Sequence, residues 1–301
     1  MLGRRQIREK VIQNLYAYQQ NPMSIDAIQR KMFSEIEKIY HLYIYELNFL
    51  VALKQLAEHQ IEINKEKFLK TEEDLNPNQK FIRNQVLENI ENNQERLSVT
   101  SKFRNLKWEL HNDFLVKTFQ RMKAGKRYQD FMNNDEISFD ADQKFLGKLF
   151  LRYIAENETF HELLEEQEMS WTDDLHIANS MVQKTIGFIK ENQPSHTLIK
   201  IIKDDEDRAF AERLLRNGIA HWDEVEEKLK NRLQNWEIER VSLMDKIILI
   251  AGITEMDHFP LTPSKIIINE YIEISKAFST EKSHTFINGI LGKYAEDNNR
   301  I

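Results

Sequence analysis

The chain has 301 residues, with 49 acidic against 42 basic side chains and a formal net charge of -7. It contains no cysteine, which excludes disulfide scaffolds, thiolate zinc sites and cysteine nucleophiles. Apolar residues make up 41% and charged residues 30%, as in a soluble globular chain with a buried core, while 8 glycines and 5 prolines are too few for a turn-rich sheet fold and favour long helices.

The N-terminus reads charge first and then an amphipathic stretch, with no apolar core of a signal peptide. Residues 4 to about 20 form a helix in this reading. Ile7, Val11, Leu15 and Tyr18 recur at three- and four-residue spacings, with Ile12 and Tyr16 beside them. Tyr16 is expected in the core, with an exposed ring open to stacking as the other reading. Arg4, Arg5 and Arg8 are expected on the first turns, away from the apolar stripe, where they oppose the helix dipole and so do not serve helix stability. Asn21-Pro22 ends the helix.

A long helix follows from about Ile25 to Lys70. Ile28, Met32, Ile36, Ile39, Tyr43, Leu47, Leu50, Leu53 and Leu56 mark a near-heptad seam. Its most apolar run, Tyr43 to Leu53, is interrupted by Glu46 and Asn48, too short and too polar to span a bilayer; the protein is expected to be cytoplasmic. Connectors are predicted at Thr71–Phe81 and Asn133–Gln143. Helical pattern covers about 78–95, 102–124, 142–155, 157–167, 173–191, 205–217, 221–235, 241–257, 263–278 and 280–296. No segment alternates with period two, so the fold class is all-α.

Displaced by 65 positions, residues 140–171 fall on 205–236, with identities at Asp142/Asp207, Phe145/Phe210, Leu149/Leu214, Ile154/Ile219, Leu164/Leu229 and Trp171/Trp236 among others. This is either a duplicated helical hairpin or two amphipathic helix pairs that align by chance. Near the C-terminus, the helix from about Val241 is apolar nearly all round and belongs in the middle of a bundle, with Trp236 as an anchor for its entry. Ser279 or Thr280 is placed to cap the last helix, with Glu281 where the dipole favours an anion. Gly289 lies inside that helix, as if another backbone approached there.

No catalytic constellation stands out. The nine histidines form no H-x-x-x-H or H-E-x-x-H pair, and there is no Walker loop, no G-x-G-x-x-G and no G-x-S-x-G. No catalytic residue, metal site or cofactor is expected.

Two stretches carry a family resemblance. Residues 3–19, GRRQIREKVIQNLYAYQ, resemble the opening of the NusB transcription antitermination factors. The C-terminal hundred residues resemble the rest of that domain, most specifically at Trp236, Glu239-Arg240, Asp245, Glu255, Ile268-Asn269-Glu270, Lys276, Phe278, Ser283 and FINGIL at 286–291. The resemblance implies a NusB-like helical bundle domain built from an N-terminal helix (1–24) and a C-terminal part (201–301), interrupted by a large helical insertion (25–200). It further implies a non-enzymatic factor that binds boxA-type RNA of ribosomal RNA leaders together with the ribosomal protein NusE, within the RNA polymerase elongation complex. The RNA-binding residues it implies are Arg4, Arg5 and Arg8 of the arginine-rich motif, with Lys10 beside them. Arginine suits such a role because its planar fork grips phosphate. The implied partner contact is Glu281, Lys282, His284 and Phe286. Phe286 reads equally as core, and His284 equally as a surface helix cap. Departures from the family pattern stand at Ile250, Thr254 and Lys282, where the family often has arginine, tyrosine and an acidic residue. The alternative function is a helical protein–protein adaptor that keeps the domain without RNA binding, with the 25–70 seam pairing to another chain or with its own insertion.

Overall fold

A computed structural model describes residues 1–191, 198–232 and 241–300. Its helices run in chain order as α1 (Arg4–Gln20), α2 (Ile25–Lys65), α3 (Glu72–Leu75), α4 (Gln85–Glu91), α5 (Gln94–Lys102), α6 (Asn112–Ala124), α7 (Lys126–Asn133) and α8 (Phe139–Phe150). These are followed by α9 (Glu158–Gln167), α10 (Ser170–Phe188), α11 (Asp205–Ala220), α12 (Trp222–Lys230), α13 (Leu243–His258), α14 (Ser264–Phe278) and α15 (Ser283–Asp297). Among the described residues there is no strand, and the protein is all-α. Among them, too, no helix is long and apolar enough to cross a membrane. Trp236, Glu239, Arg240 and the end of the helix predicted over 221–235 lie outside the described residues.

The chain divides into two compact units, Met1–Ile36 with Ile202–Ile301, and Glu37–Ile201. In the first, α13 is the central element: it packs against α1, α11, α12, α14 and α15. Every residue from Ile247 to Met256 is buried, the environment that an all-round apolar helix requires. Burying one such isoleucine or leucine contributes about 1.5–3 kcal/mol, so each apolar residue on every face of this helix adds to the unit's stability. Two close approaches fix its neighbours. A Cβ on Gly252 would meet Leu291 at 3.1 Å and Tyr271 at 3.4 Å, and one on Gly218 of α11 would meet Leu15 of α1 at 3.2 Å. Gly289, by contrast, faces open space, so no backbone approaches where the sequence pattern placed one. The last helix begins at Ser283 rather than near residue 280. Ser279 and Thr280 hydrogen-bond to the Ser283 hydroxyl instead of capping backbone N–H groups, because that hydroxyl donates to Asp245 (3.0 Å) and ties the start of α15 to the start of α13.

The second unit is built round the remainder of α2. From Leu42 to Val51 every residue is buried, so the helix is enclosed on all sides rather than along one seam. Aromatic rings make this core: Tyr45 stacks on Trp108 with centroids 4.4 Å apart, and Trp108 stacks on Phe160 at 5.9 Å. The indole N–H of Trp108 donates to the Tyr45 carbonyl and that of Trp171 to the Lys38 carbonyl, both 3.0 Å. The helices predicted over 78–95 and 102–124 are broken into shorter pieces. Asn84 and Asn93 accept from the amides of Leu87 and Arg96 (2.9 Å each), capping α4 and α5, so this asparagine-rich stretch starts helices instead of extending them. Residues 104–106 and 108–111 form 3-10 turns that deliver Trp108 to its pocket. The helix pairs α8–α9 and α11–α12 bury matching positions of the 65-residue displacement, including Asp142 and Asp207, Phe145 and Phe210, and Leu164 and Leu229.

Glu46 is fully buried in α2, and neither of its carboxylate oxygens has a hydrogen-bond partner. Burial holds its carboxyl well above the usual carboxylate range. A carboxyl whose folded-state pKa is raised contributes its full stability below the unfolded value near 4.5 and loses it progressively as pH rises toward the folded pKa. Glu46→Leu is therefore expected to stabilise the protein at neutral pH by about 1–3 kcal/mol. Glu46→Gln, which cannot ionise, should flatten the decline above pH 4.5; unfolding curves of wild type and variant that keep the same pH dependence would contradict this assignment.

Candidate nucleic-acid interface

The first four turns of α1 explain where its cations go. Arg8, Ile12 and Leu15 share one face at helical spacing, and all three are buried. Arg8 therefore lies on the packed stripe and not on the solvent side that the sequence pattern suggested. Its guanidinium donates to both oxygens of Glu255 on α13, Nε at 2.8 Å and Nη2 at 2.5 Å. The Tyr271 hydroxyl of α14 donates to the same carboxylate at 3.0 Å, and Glu270 lies 3.6 Å from Arg8 Nη1. Burial disfavours the charged guanidinium, but the bonds and charge of Glu255, with Glu270 nearby, outweigh it and hold the Arg8 pKa above its ordinary value. Burial also pushes the Tyr271 hydroxyl well up, reinforced by the charge of Glu255.

Arg4 and Arg5 remain at the surface, with side chains 36% and 41% exposed. Arg4 reaches Glu206 at 2.7 Å and Asp207 at 2.5 Å, both in the first turn of α11. Its guanidinium also sits 4.4 Å from the centroid of the Phe210 ring, with that of Arg8 at 5.2 Å. Arg5 makes a two-bond contact with Glu270 of α14, Nε to Oε2 at 3.1 Å and Nη2 to Oε1 at 2.9 Å. That contact raises the Arg5 pKa. These carboxylates offset the unfavourable position of three arginines at a helix N-terminus that has no acid in its own first turn. The acids of α11 at the same time sit where their own helix dipole favours them.

The two exposed arginines border a groove of about 620 Å³ formed by Gly3–Gln6, Arg8, Glu206, Glu270 and the α13–α14 connection. Leu261 (97% exposed) and Ile266 form its apolar edge. The arrangement presents guanidinium edges and an apolar lip to an elongated anionic ligand; it contains no nucleophile–base pair.

Of the four cations expected to face RNA, the structure brings Arg4 and Arg5 to this groove. Arg8 and Lys10 are only 3% and 6% exposed, because Arg8 is consumed by Glu255 and Lys10 falls on the packed side of α1. Tyr16, expected in the core, is exposed. Glu281 and Lys282 are exposed just before α15, and His284 and Phe286 are half-buried in its first turn, so these four do form one short segment. Ile250 and Thr254 are fully buried in α13. Sequence patterning missed Phe210 and the acids Glu206 and Asp207 as parts of the arginine site. The signal available was the acidic first turn of α11, which only a tertiary contact connects to α1.

A family model described as the NusB family matches residues 169–296, beginning at the start of α10 in the second unit and running through the helices α11–α15 of the first. The chain is 38% identical over 97 residues to the transcription antitermination protein NusB of Methylacidiphilum infernorum, which is 32% of this chain and 68% of that protein. It is 36% identical over 101 residues to the NusB of Salinibacter ruber, covering 33% and 63% respectively. With the NusB of Clostridium botulinum (strain Kyoto) the identity is 42% over 89 residues, covering 30% and 62%. The chain thus spans about two thirds or slightly less of the curated relatives it matches. No solved structure matches it.

The geometry makes Arg8 a structural residue of the first unit. Arg8→Ala leaves Glu255 buried without its cation and should cost about 3–5 kcal/mol in urea unfolding. Arg8→Met combined with Glu255→Leu should cost far less, since it removes both charges. Equal losses in the single and double variants would show that packing, not the ion pair, sets the effect.

Proposed function

This chain belongs to the NusB family, and from that premise we propose that it is a non-catalytic, RNA-binding transcription antitermination factor. The observation that carries the reading is the groove beside α1, where Arg4 and Arg5 expose guanidinium edges next to Leu261 and Ile266. α1 packs against α11, α13 and α14, so the arginine-rich start and the C-terminal third present a single surface. The RNA is boxA-type leader RNA of ribosomal RNA operons, held by phosphate contacts from Arg4 and Arg5, with unstacked bases against the apolar lip. Arg8 acts through positioning: its pair with Glu255 sets the seat of α1, and with it the direction of the other two arginines.

The ribosomal protein NusE completes the site at the start of α15, through Glu281, Lys282, His284 and Phe286, and the assembly joins the elongating polymerase. Residues 1–24 and 201–301 make the NusB-like domain in this reading, and 25–200 are a helical insertion. The adaptor alternative drew on the α2 seam as a surface for another chain. Ile28, Met32, Ile36, Ile39, Tyr43, Leu47, Leu50 and Leu53 are all buried within this protein, so the seam pairs inside the chain and is not open to another one.

Arg4→Ala with Arg5→Ala should weaken binding of a boxA-containing RNA and make its salt dependence shallower by about 0.7 per lost phosphate contact, in a titration at several salt concentrations. Unchanged affinity at every salt concentration would reject RNA binding through this groove and return the adaptor reading.

A further inference from the structure

The arginines of the groove are not free cations. Glu270 holds Arg5 by two parallel bonds, 3.1 and 2.9 Å, and Glu206 holds Arg4 at 2.7 Å. A guanidinium that gives its Nε–Nη2 edge to a carboxylate still has its Nη1 edge for a second oxyanion, because its five N–H groups point along separate edges of one plane. Arg5 is arranged this way: Nε and Nη2 are committed to Glu270, and the side chain remains 41% exposed. We propose that Glu270, with Glu206 in support, sets the nucleic-acid specificity of the groove by orienting the arginine forks while cancelling their excess charge.

The inference rests on the RNA-binding reading above and deepens it. Non-specific binding to nucleic acid is dominated by net positive charge and counterion release. A site whose cations are already matched by carboxylates gains little from a generic polyanion. It gains from a strand whose phosphates meet the exposed guanidinium edges in register, since those charge-assisted bonds are directional. Glu270 is suited to orient Arg5 because it is itself fixed: its side chain is 20% exposed, and the second of its oxygens lies 3.6 Å from buried Arg8. Glu206 is 84% exposed on its side chain and contributes mainly charge, with Asp207 retaining Arg4 when Glu206 is neutralised.

The test compares a boxA-type RNA with oligo-uridine of equal length, titrated against the full chain by fluorescence anisotropy at several salt concentrations. Glu270→Gln keeps a side chain that can accept from Arg5 but removes the charge. It should tighten oligo-uridine binding about fivefold at 0.1 M salt and steepen the salt slope by about 0.7. The boxA-type RNA should gain less, so that the preference between the two falls. Glu206→Gln should act in the same direction through Arg4. In an Arg5→Ala background the effect of Glu270→Gln should disappear. A tightening that persists in that background means simple removal of negative charge and overturns the inference. So does a preference unchanged in both glutamine variants while Arg5→Ala still weakens the boxA-type RNA; the proposed function then stands alone. If Arg5→Ala and Arg4→Ala leave both RNAs unaffected, the RNA-binding reading and this inference fall together.

Discussion

Arg8 and Glu255 are 247 positions apart in sequence, and their contact joins the N-terminal helix to the central helix of the first unit. Removing a guanidinium and a carboxylate from water costs several kcal/mol per ion, so such a pair adds little net stability over an apolar replacement. Its effect is geometric. A carboxylate that accepts two guanidinium bonds and one from the Tyr271 hydroxyl fits a single rotation and a single depth of α1. Sliding the helix by one residue would turn Arg8 away and leave Glu255 buried among Ile253, Thr254 and Met256 with no counter-charge. Apolar contacts such as Leu15 against Gly218 tolerate small shifts; the ion pair does not.

Once α1 is seated in this way, the fate of Arg4 and Arg5 follows from helix geometry. Arg4 lies one turn before Arg8 and shares its face, so both guanidiniums come over the Phe210 ring and Arg4 meets the acidic start of α11. Arg5 is rotated toward α14 and meets Glu270. Three guanidiniums therefore face four carboxylates, Glu206, Asp207, Glu255 and Glu270. The opening residues look like a cationic knot in sequence, but in the fold they form a neutralised array. An acidic chain can carry this start without a strong positive field, and any recognition there depends on the direction of N–H groups rather than on potential alone.

The two units differ in how they handle buried polarity. In the first, buried Arg8 is matched by Glu255, while buried Asp245 is met by the Ser283 hydroxyl rather than by a cation. In the second, Arg96 donates to the carbonyls of Ile90 and Glu91 at the end of α4 and to the Asn48 side chain, so a cation is placed where the helix dipole favours it. Lys54 is similarly matched to Glu91 and Glu58. Glu46 breaks this rule, with both oxygens buried and unpartnered. Its site is enclosed by the same aromatic-rich core that makes α2 buried on every side, and there a neutral carboxyl is the less costly form.

Much of this was legible in the sequence, and the failures share one cause. The all-α class, the ends of α1 and the position of α13 followed from apolar spacing, proline and turn residues, while the connector predicted over 133–143 is shorter, ending where α8 starts at Phe139, and the one over 71–81 contains α3. Those signals are local or depend only on hydrophobicity. Patterning assigns polar residues to the outside, and that is where it failed: Arg8, Lys10 and Asn14 lie on the packed side of α1, whereas Tyr16 faces out. A long side chain with a charged end is buried when a tertiary partner receives the charge, and nothing within seventeen residues of α1 indicates that Glu255 will be there. The same limit applies to α2. Its heptad-like seam is real in the sequence, yet helices from a distant part of the chain cover the other faces as well, so the period of the apolar residues described one side of a helix that has no solvent side through its middle.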